Sequence, residues 1–309
     1  MYTYGPVPSR RLGRSLGVSP IPRKTCSYSC VYCQLGRTNR LQIKRESFFP
    51  KESVFSEIER QLAHSEVDYI TIVGDGEPTL SADLGWLIRQ CKKFTDVPVA
   101  VITNGSLLFQ PEVRQDLSEA DVLIPSLDAG SQEIFSKINR PHRAIEFEVM
   151  LQGQMDWRRE YRGQIWLEVM LVQGVNDTKR ALRDIRSSID KIQPDRIYLT
   201  TPIRPPAESW VKPPSLEKIL QAQEIIGKPI TIDTTESGAF GLAAFDNARQ
   251  AILEIGSRHP LRLEQAFEIE NNFSQPGTID NMLKDKELYK VPYNASDYLI
   301  PGYFLRART

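Results

Sequence analysis

Three of the four cysteines in this 309-residue chain fall within one short run, Cys26-Ser27-Tyr28-Ser29-Cys30-Val31-Tyr32-Cys33. Three and then two residues separate them, a spacing short enough for three thiolates to converge on one metal centre. Downstream, His64 and Cys91 are the nearest further ligands, and neither belongs to a second Cys or His pair. A structural zinc site takes four protein ligands, and an electron-transfer cluster usually takes four thiolates. Three thiolates suit a [4Fe–4S] cluster that leaves one iron open to another molecule. A zinc site and a chance clustering of packed cysteines are the alternatives, although Ser27, Ser29, Arg23 and Lys24 do not read as core. Cys91 sits at helical spacing within Leu84–Phe94 and reads as a small packed apolar residue.

The C-x3-C-x2-C spacing with an aromatic residue, Tyr32, before the last cysteine resembles the signature of the radical S-adenosylmethionine (SAM) enzymes. The resemblance implies one [4Fe–4S] cluster held by Cys26, Cys30 and Cys33, with SAM chelated to the open iron. It also implies reductive cleavage of SAM to methionine and a 5′-deoxyadenosyl radical that takes hydrogen from a substrate. A low-potential electron donor of the flavodoxin or ferredoxin type goes with that chemistry. The opening segment GPVPSRRLGRSLGV is similar to the subgroup that includes the wyosine-type tRNA synthases, and the likeness runs from about residue 4 to residue 206.

Length allows one large domain plus a small one. With 40% hydrophobic and 25% charged residues and zero net charge, the composition is that of an ordinary globular protein. No apolar run approaches the ~18 residues that span a bilayer, and the Arg-rich N-terminus is no secretory signal. Few cysteines, most of them in one loop, give no disulfide framework, so the expectation is a cytoplasmic protein without a membrane role. The charge is uneven: residues 1–49 hold nine Lys or Arg against the single acid Glu46. Such a basic collar is read as attracting an anionic substrate, as offsetting a cluster, or as a solvated face.

Positioning the cysteines requires a scaffold, and the chain supplies alternating signals for one. Apolar runs of strand length occur at 15–20, 68–73, 97–103, 121–127, 165–172 and 196–201, with a further short run at 230–233. Between them, 51–63, 84–94, 112–117, 132–138, 147–161, 179–192 and 216–226 show helical periodicity. Unbroken Val- and Ile-rich runs separated by helices describe a parallel sheet. Six βα units are too few for an eight-stranded barrel, so the expected fold is α/β, a partial (βα)6 TIM-type barrel. A doubly wound open sheet gives a similar string.

In a parallel barrel the chemistry sits at the C-terminal strand ends, here the cysteine loop, GDGEP, TNG, SLD, GVND and TPIRPP. Singly, each is an ordinary turn. Under the resemblance they describe a SAM pocket: Tyr32 near adenine, and Gly76 and Glu77 at the methionyl amine. Asn104, Ser126 and Asp128 would line the remaining contacts, with Asn176 at the fifth strand. Asn104 and Asp128 also suit a turn residue and a helix N-cap. No residue is assigned as catalytic.

From about residue 236 the character changes, dividing the chain into a 1–235 core and a 236–309 accessory domain. Short amphipathic helices at 245–255, 263–269 and 277–284 precede strand runs at 288–291 and 297–304, the outline of a winged helix. Eight basic and ten acidic residues there speak against simple nucleic-acid binding. RNA, a peptide or protein, or a phosphorylated metabolite are the substrate classes in view. A non-catalytic iron–sulfur or zinc redox-sensing module is the alternative function.

Overall fold

The computed structural model describes residues 1–227, 229–231, 240–242 and 245–302. In chain order the strands and helices begin with β1 (Thr3–Ser9), β2 (Gly13–Val18), β3 (Thr25–Cys26), β4 (Arg40–Leu41), α1 (Lys51–His64) and β5 (Tyr69–Val73). Next come α2 (Leu84–Phe94), β6 (Val99–Thr103), α3 (Pro111–Leu117), β7 (Val122–Pro125), α4 (Gln132–Ile138) and α5 (Phe147–Glu160). Then follow β8 (Gln164–Met170), α6 (Lys179–Ile192), β9 (Arg196–Thr200), α7 (Leu216–Ile226) and β10 (Ile230–Thr231). The chain closes with α8 (Ala248–Gly256), β11 (Leu261–Arg262), α9 (Leu263–Asn272), α10 (Thr278–Lys284), β12 (Leu288–Tyr293) and β13 (Ser296–Pro301).

The main sheet runs β1-β2-β5-β6-β7-β8-β9-β10, with β1 antiparallel to β2 and every later pair parallel. Six of these strands, β2 and β5 to β9, are each followed by helix, which is the partial (βα)6 barrel expected. Strand β10 extends the sheet as the short run at 230–233 suggests, although residue 233 lies outside the described residues. The opening segment forms β1, an edge strand that accommodates Pro6 and Pro8 because an edge leaves one side of the backbone unpaired.

Strands β2 and β5 to β9 are buried on both faces over most of their length, which is why their sequences do not alternate cleanly. Leu16, Val18, Ile70, Ile72, Val99, Val101 and Leu123 pack outward in one core with residues of α1 to α3, and Leu167, Val169 and Leu199 in a second with α4 to α7. Ala100, Val122, Ile124, Trp166 and Tyr198 form a third cluster, with Leu12 of the β1–β2 turn. Each fully buried side chain of this kind contributes ~1.5–3 kcal/mol. Towards the C-terminal ends the residues in step with that third cluster become Ser15, Thr71, Ile102, Ser126, Glu168, Met170 and Thr200, and there a cavity opens.

The C-terminal domain follows the order helix, strand, helix, helix, strand, strand, with a small sheet β11-β13-β12. This is the expected winged-helix outline with one strand more than foreseen, since β11 is only two residues long and pairs Leu261 with Leu299. The wing turns at Asn294 and Ala295, both at positive φ, the handedness that tight hairpins favour. Val7 of β1 joins this domain's core. The boundary at 235/236 falls outside the described residues, as do residues 303 and 304 of the last expected strand.

Candidate cofactor site

The loop after β2 carries the cysteines, and its apolar residues anchor it. Tyr28 and Val31 are buried in the second core, Tyr28 meeting Phe135 edge-on at 5.4 Å. Backbone bonds tie the loop to the segment after α4: Val31 N–H to Ile138 O at 2.9 Å, Ser29 N–H to Asn139 O at 3.0 Å, and His142 N–H to Ser27 O at 2.8 Å. With Tyr28 and Val31 turned inward, Cys26, Cys30 and Cys33 all line one cavity of about 390 Å³ at the C-terminal strand ends. The volume falls within the range of small-molecule sites.

Amide donors surround the sulfurs. Tyr28 N–H approaches Cys26 Sγ at 3.4 Å, Asn104 Nδ2 approaches the same sulfur at 3.6 Å, and Asn139 Nδ2 approaches Cys30 Sγ at 3.6 Å. Burial pushes the Cys26 thiol up to about 12 and the Cys30 thiol well above its ordinary value. A metal cation that binds a cysteine replaces the thiol proton. Among the described residues no three His, Cys, Asp or Glu side chains close on a single ion. A cluster asks for something different, one thiolate per iron, and the three cavity-lining cysteines, with amide donors at Cys26 and Cys30, fit that requirement.

Of the other expected residues, Tyr32, Gly76 and Ser126 line the cavity. Gly76 is needed there for a reason internal to the protein: a Cβ at this position would stand 1.8 Å from the carbonyl oxygen of Thr25. The two loops are laced at that point, with Glu77 N–H donating to Thr25 O at 3.1 Å.

Glu77, Asn104, Asp128 and Asn176 stand next to the residues that line the cavity, at the ends of β5, β6, β7 and β8. Glu77 is 1% exposed, and its Oε1 accepts from Thr79 N–H (3.1 Å), Thr79 Oγ1 (2.6 Å) and Thr103 Oγ1 (2.5 Å), its Oε2 from Asn104 N–H (2.7 Å). Both oxygens are therefore used in holding the Thr103-Asn104 turn. Asn104 Nδ2 donates to Ser27 Oγ at 2.8 Å, besides approaching Cys26. Asp128 accepts from Tyr32 Oη (2.5 Å), Asn139 Nδ2 (2.7 Å) and Met170 N–H (2.9 Å). Asn176 is fully buried and bonds Val172 N–H, Asp128 O and Met170 O. These four support the wall from behind. Burial raises the carboxyls of Glu77 and Asp128 above their ordinary values, against the hydrogen bonds that lower them.

Arg10, Arg11 and Lys24 of the basic collar and Asp75 of GDGEP face the cavity, as do Glu168, Thr200, Arg204 and His259, for which no role was expected. Glu168 and Arg11 form an ion pair inside the barrel, and burial brings the Arg11 guanidinium down to about 10. Glu168 had a visible signal, a lone acid in the strand IWLEVMLV.

The Radical SAM superfamily model matches residues 21–185, and the chain belongs to that superfamily: it is an enzyme of the class that works with an iron–sulfur cluster and SAM. UPF0026 protein MJ1312 of Methanocaldococcus jannaschii is 36% identical over 301 residues, covering 94% of this chain and 93% of that one. A radical SAM methyltransferase from Sphaerobacter thermophilus shares the fold with TM-score 0.56 and 18% identity, over 71% of this chain and 66% of that one. So does anSMEcpe, solved with bound AdoMet and a Kp18Cys peptide, with TM-score 0.52 and 17% identity, over 78% and 66%.

Proposed function

We propose that residues 1–235 form a radical SAM core carrying a single [4Fe–4S] cluster on Cys26, Cys30 and Cys33, with 236–309 as an accessory domain. When bound, the cluster supplies the low-potential electron that cleaves SAM reductively, yielding the 5′-deoxyadenosyl radical that takes hydrogen from substrate. The observation that carries this reading is the meeting of all three cysteines with Gly76, Tyr32 and Ser126 on one cavity wall.

The chain's own residues have distinct tasks. Gly76 leaves backbone open to the methionyl end of SAM. Tyr32, its hydroxyl fixed by Asp128, offers a ring face to adenine. Ser126 supplies a hydroxyl that donates or accepts. Glu77, Asn104, Asp128 and Asn176 hold the strand-end loops in register, and Leu12 with Ala100, Val122, Ile124, Trp166 and Tyr198 keeps water from entering below. A flavodoxin- or ferredoxin-type donor provides the electron, and the reduced thiols this chemistry needs favour a cytoplasmic setting.

The substrate is an RNA, a peptide or protein, or a phosphorylated metabolite. Arg10, Arg11, Lys24 and Arg204 on the cavity wall, against Asp75 and Glu168, favour an anionic one. The GPVPSRRLGRSLGV segment supports a wyosine-type tRNA role. Against it stands the second cluster that such enzymes carry, since Cys91 alone is left and lies buried in a helix. The test is anaerobic reconstitution with iron and sulfide, addition of SAM and dithionite, and chromatography for 5′-deoxyadenosine. Its formation in step with methionine supports the proposal, and intact SAM refutes it.

A further inference from the structure

We propose that the C-terminal domain completes the cofactor site and that Arg258 is its positioning residue, bracing the Gly74–Gly76 loop through Asp75. The proposal rests on the radical SAM reading, which sets SAM against Gly76.

Ser257, Arg258 and His259 form the turn between α8 and β11. The Arg258 side chain is 6% exposed, and its Nε stands 3.2 Å from Asp75 Oδ1. Its Nη1 donates to Glu254 Oε2 and its Nη2 to the Met1 carbonyl, each at 2.9 Å, while the guanidinium lies 5.3 Å from the Tyr4 ring centroid. The Nε–H has no hydrogen-bond acceptor in line, so the contact to Asp75 is one of charge. Asp75 is itself 5% exposed, and a second guanidinium, Arg23, is 3.7 Å away. A buried carboxylate deprived of its compensating cation is costly, and the backbone bearing it shifts to regain water or a partner.

That backbone is the one that matters. Asp75 O accepts from Lys24 N–H at 2.6 Å, two residues ahead of Cys26, and the next residue is Gly76. The far end of the cysteine loop meets the same turn: Gln34, beside Cys33, donates from Nε2 to Arg258 O at 2.8 Å and accepts from Arg204 Nη1 at 2.9 Å. Arg23 reaches Ser257 Oγ, and His259 lines the cavity. One turn of the C-terminal domain thus grips the cysteine loop at both ends. The wing adds a second hold, with Tyr293 and Tyr298 donating to the carbonyls of Pro202 and Ile203 after β9. A domain that merely recruited a partner has no need of these contacts.

The test uses full-length protein with its cluster reconstituted, as wild type, Arg258→Gln, Asp75→Asn and the double variant. Equilibrium dialysis gives the SAM dissociation constant, electron paramagnetic resonance of the reduced cluster with and without SAM gives the geometry, and a thermal melt controls for folding. Each single variant is expected to weaken SAM binding roughly tenfold and to alter the SAM-bound spectrum, the double variant adding little because the two act as one unit. Should Arg258→Gln melt early, Asp75→Asn decides alone, since it leaves Arg258 its bonds to Glu254 and Met1. Binding within about twofold of wild type in the folded single variants overturns the brace and leaves the radical SAM reading intact. A wild type that does not bind SAM overturns both.

Discussion

Tyr32 and Asp128 are joined by a hydrogen bond of 2.5 Å between the phenolic hydroxyl and Oδ2, which ties the cysteine loop to the end of β7. The Asp128 carboxylate also accepts from Asn139 and from the backbone of Met170, so all three of its neighbours are donors. In Asp128→Asn the amide nitrogen must face a donor. The expected cost is about 1–3 kcal/mol, read from denaturant unfolding, together with weaker SAM binding as Tyr32 loses its tether.

Glu77 makes a pH-dependent contribution whose sign is set by its burial. Its folded pKa is raised above the ordinary value, so folding takes up a proton between the ordinary carboxylate range and that raised value. Stability from this group therefore grows as pH falls through the window and fades above it. Glu77→Gln, which cannot titrate, is expected to be destabilised relative to wild type by a larger margin at the ordinary carboxylate pKa than at neutral pH in metal-free protein. An equal margin at both values contradicts the assignment.

Gly76→Ala places a methyl group where the Thr25 carbonyl stands. The GDGEP and cysteine loops must part, at a cost of about 1–3 kcal/mol. SAM cleavage is expected to fall at least roughly tenfold, since a misplacement of about 1 Å is enough to spoil a reacting geometry. Unimpaired cleavage by Gly76→Ala is the contrary result.

How far these features were visible in the sequence differs with their physical origin. Strands β2 and β5 to β9 were legible because burial on both faces demands unbroken apolar runs, and α6 because Leu182, Ile185 and Ile189 repeat at helical spacing. Strand β1 was hidden by its prolines, and β11 by its length. The cysteines were legible because residue type and spacing are themselves the chemistry. The turns bearing Glu77, Asn104, Asp128 and Asn176 were correctly sought at strand ends, but whether a polar side chain faces a cavity or its neighbours depends on partners far along the chain. The pairs Arg11–Glu168 and Arg258–Asp75 are of that kind, each joining distant segments with no local pattern.

In the proposed site one iron of the cluster has no protein ligand. Mössbauer spectroscopy of protein reconstituted with iron-57, before and after addition of SAM, tests it most directly. The expected result is a single [4Fe–4S] cluster in which one iron site changes its isomer shift on adding SAM, and loss of that cluster in Cys30→Ala. A cluster whose iron sites are all unmoved by SAM, or a chain holding one zinc and no sulfide, contradicts it.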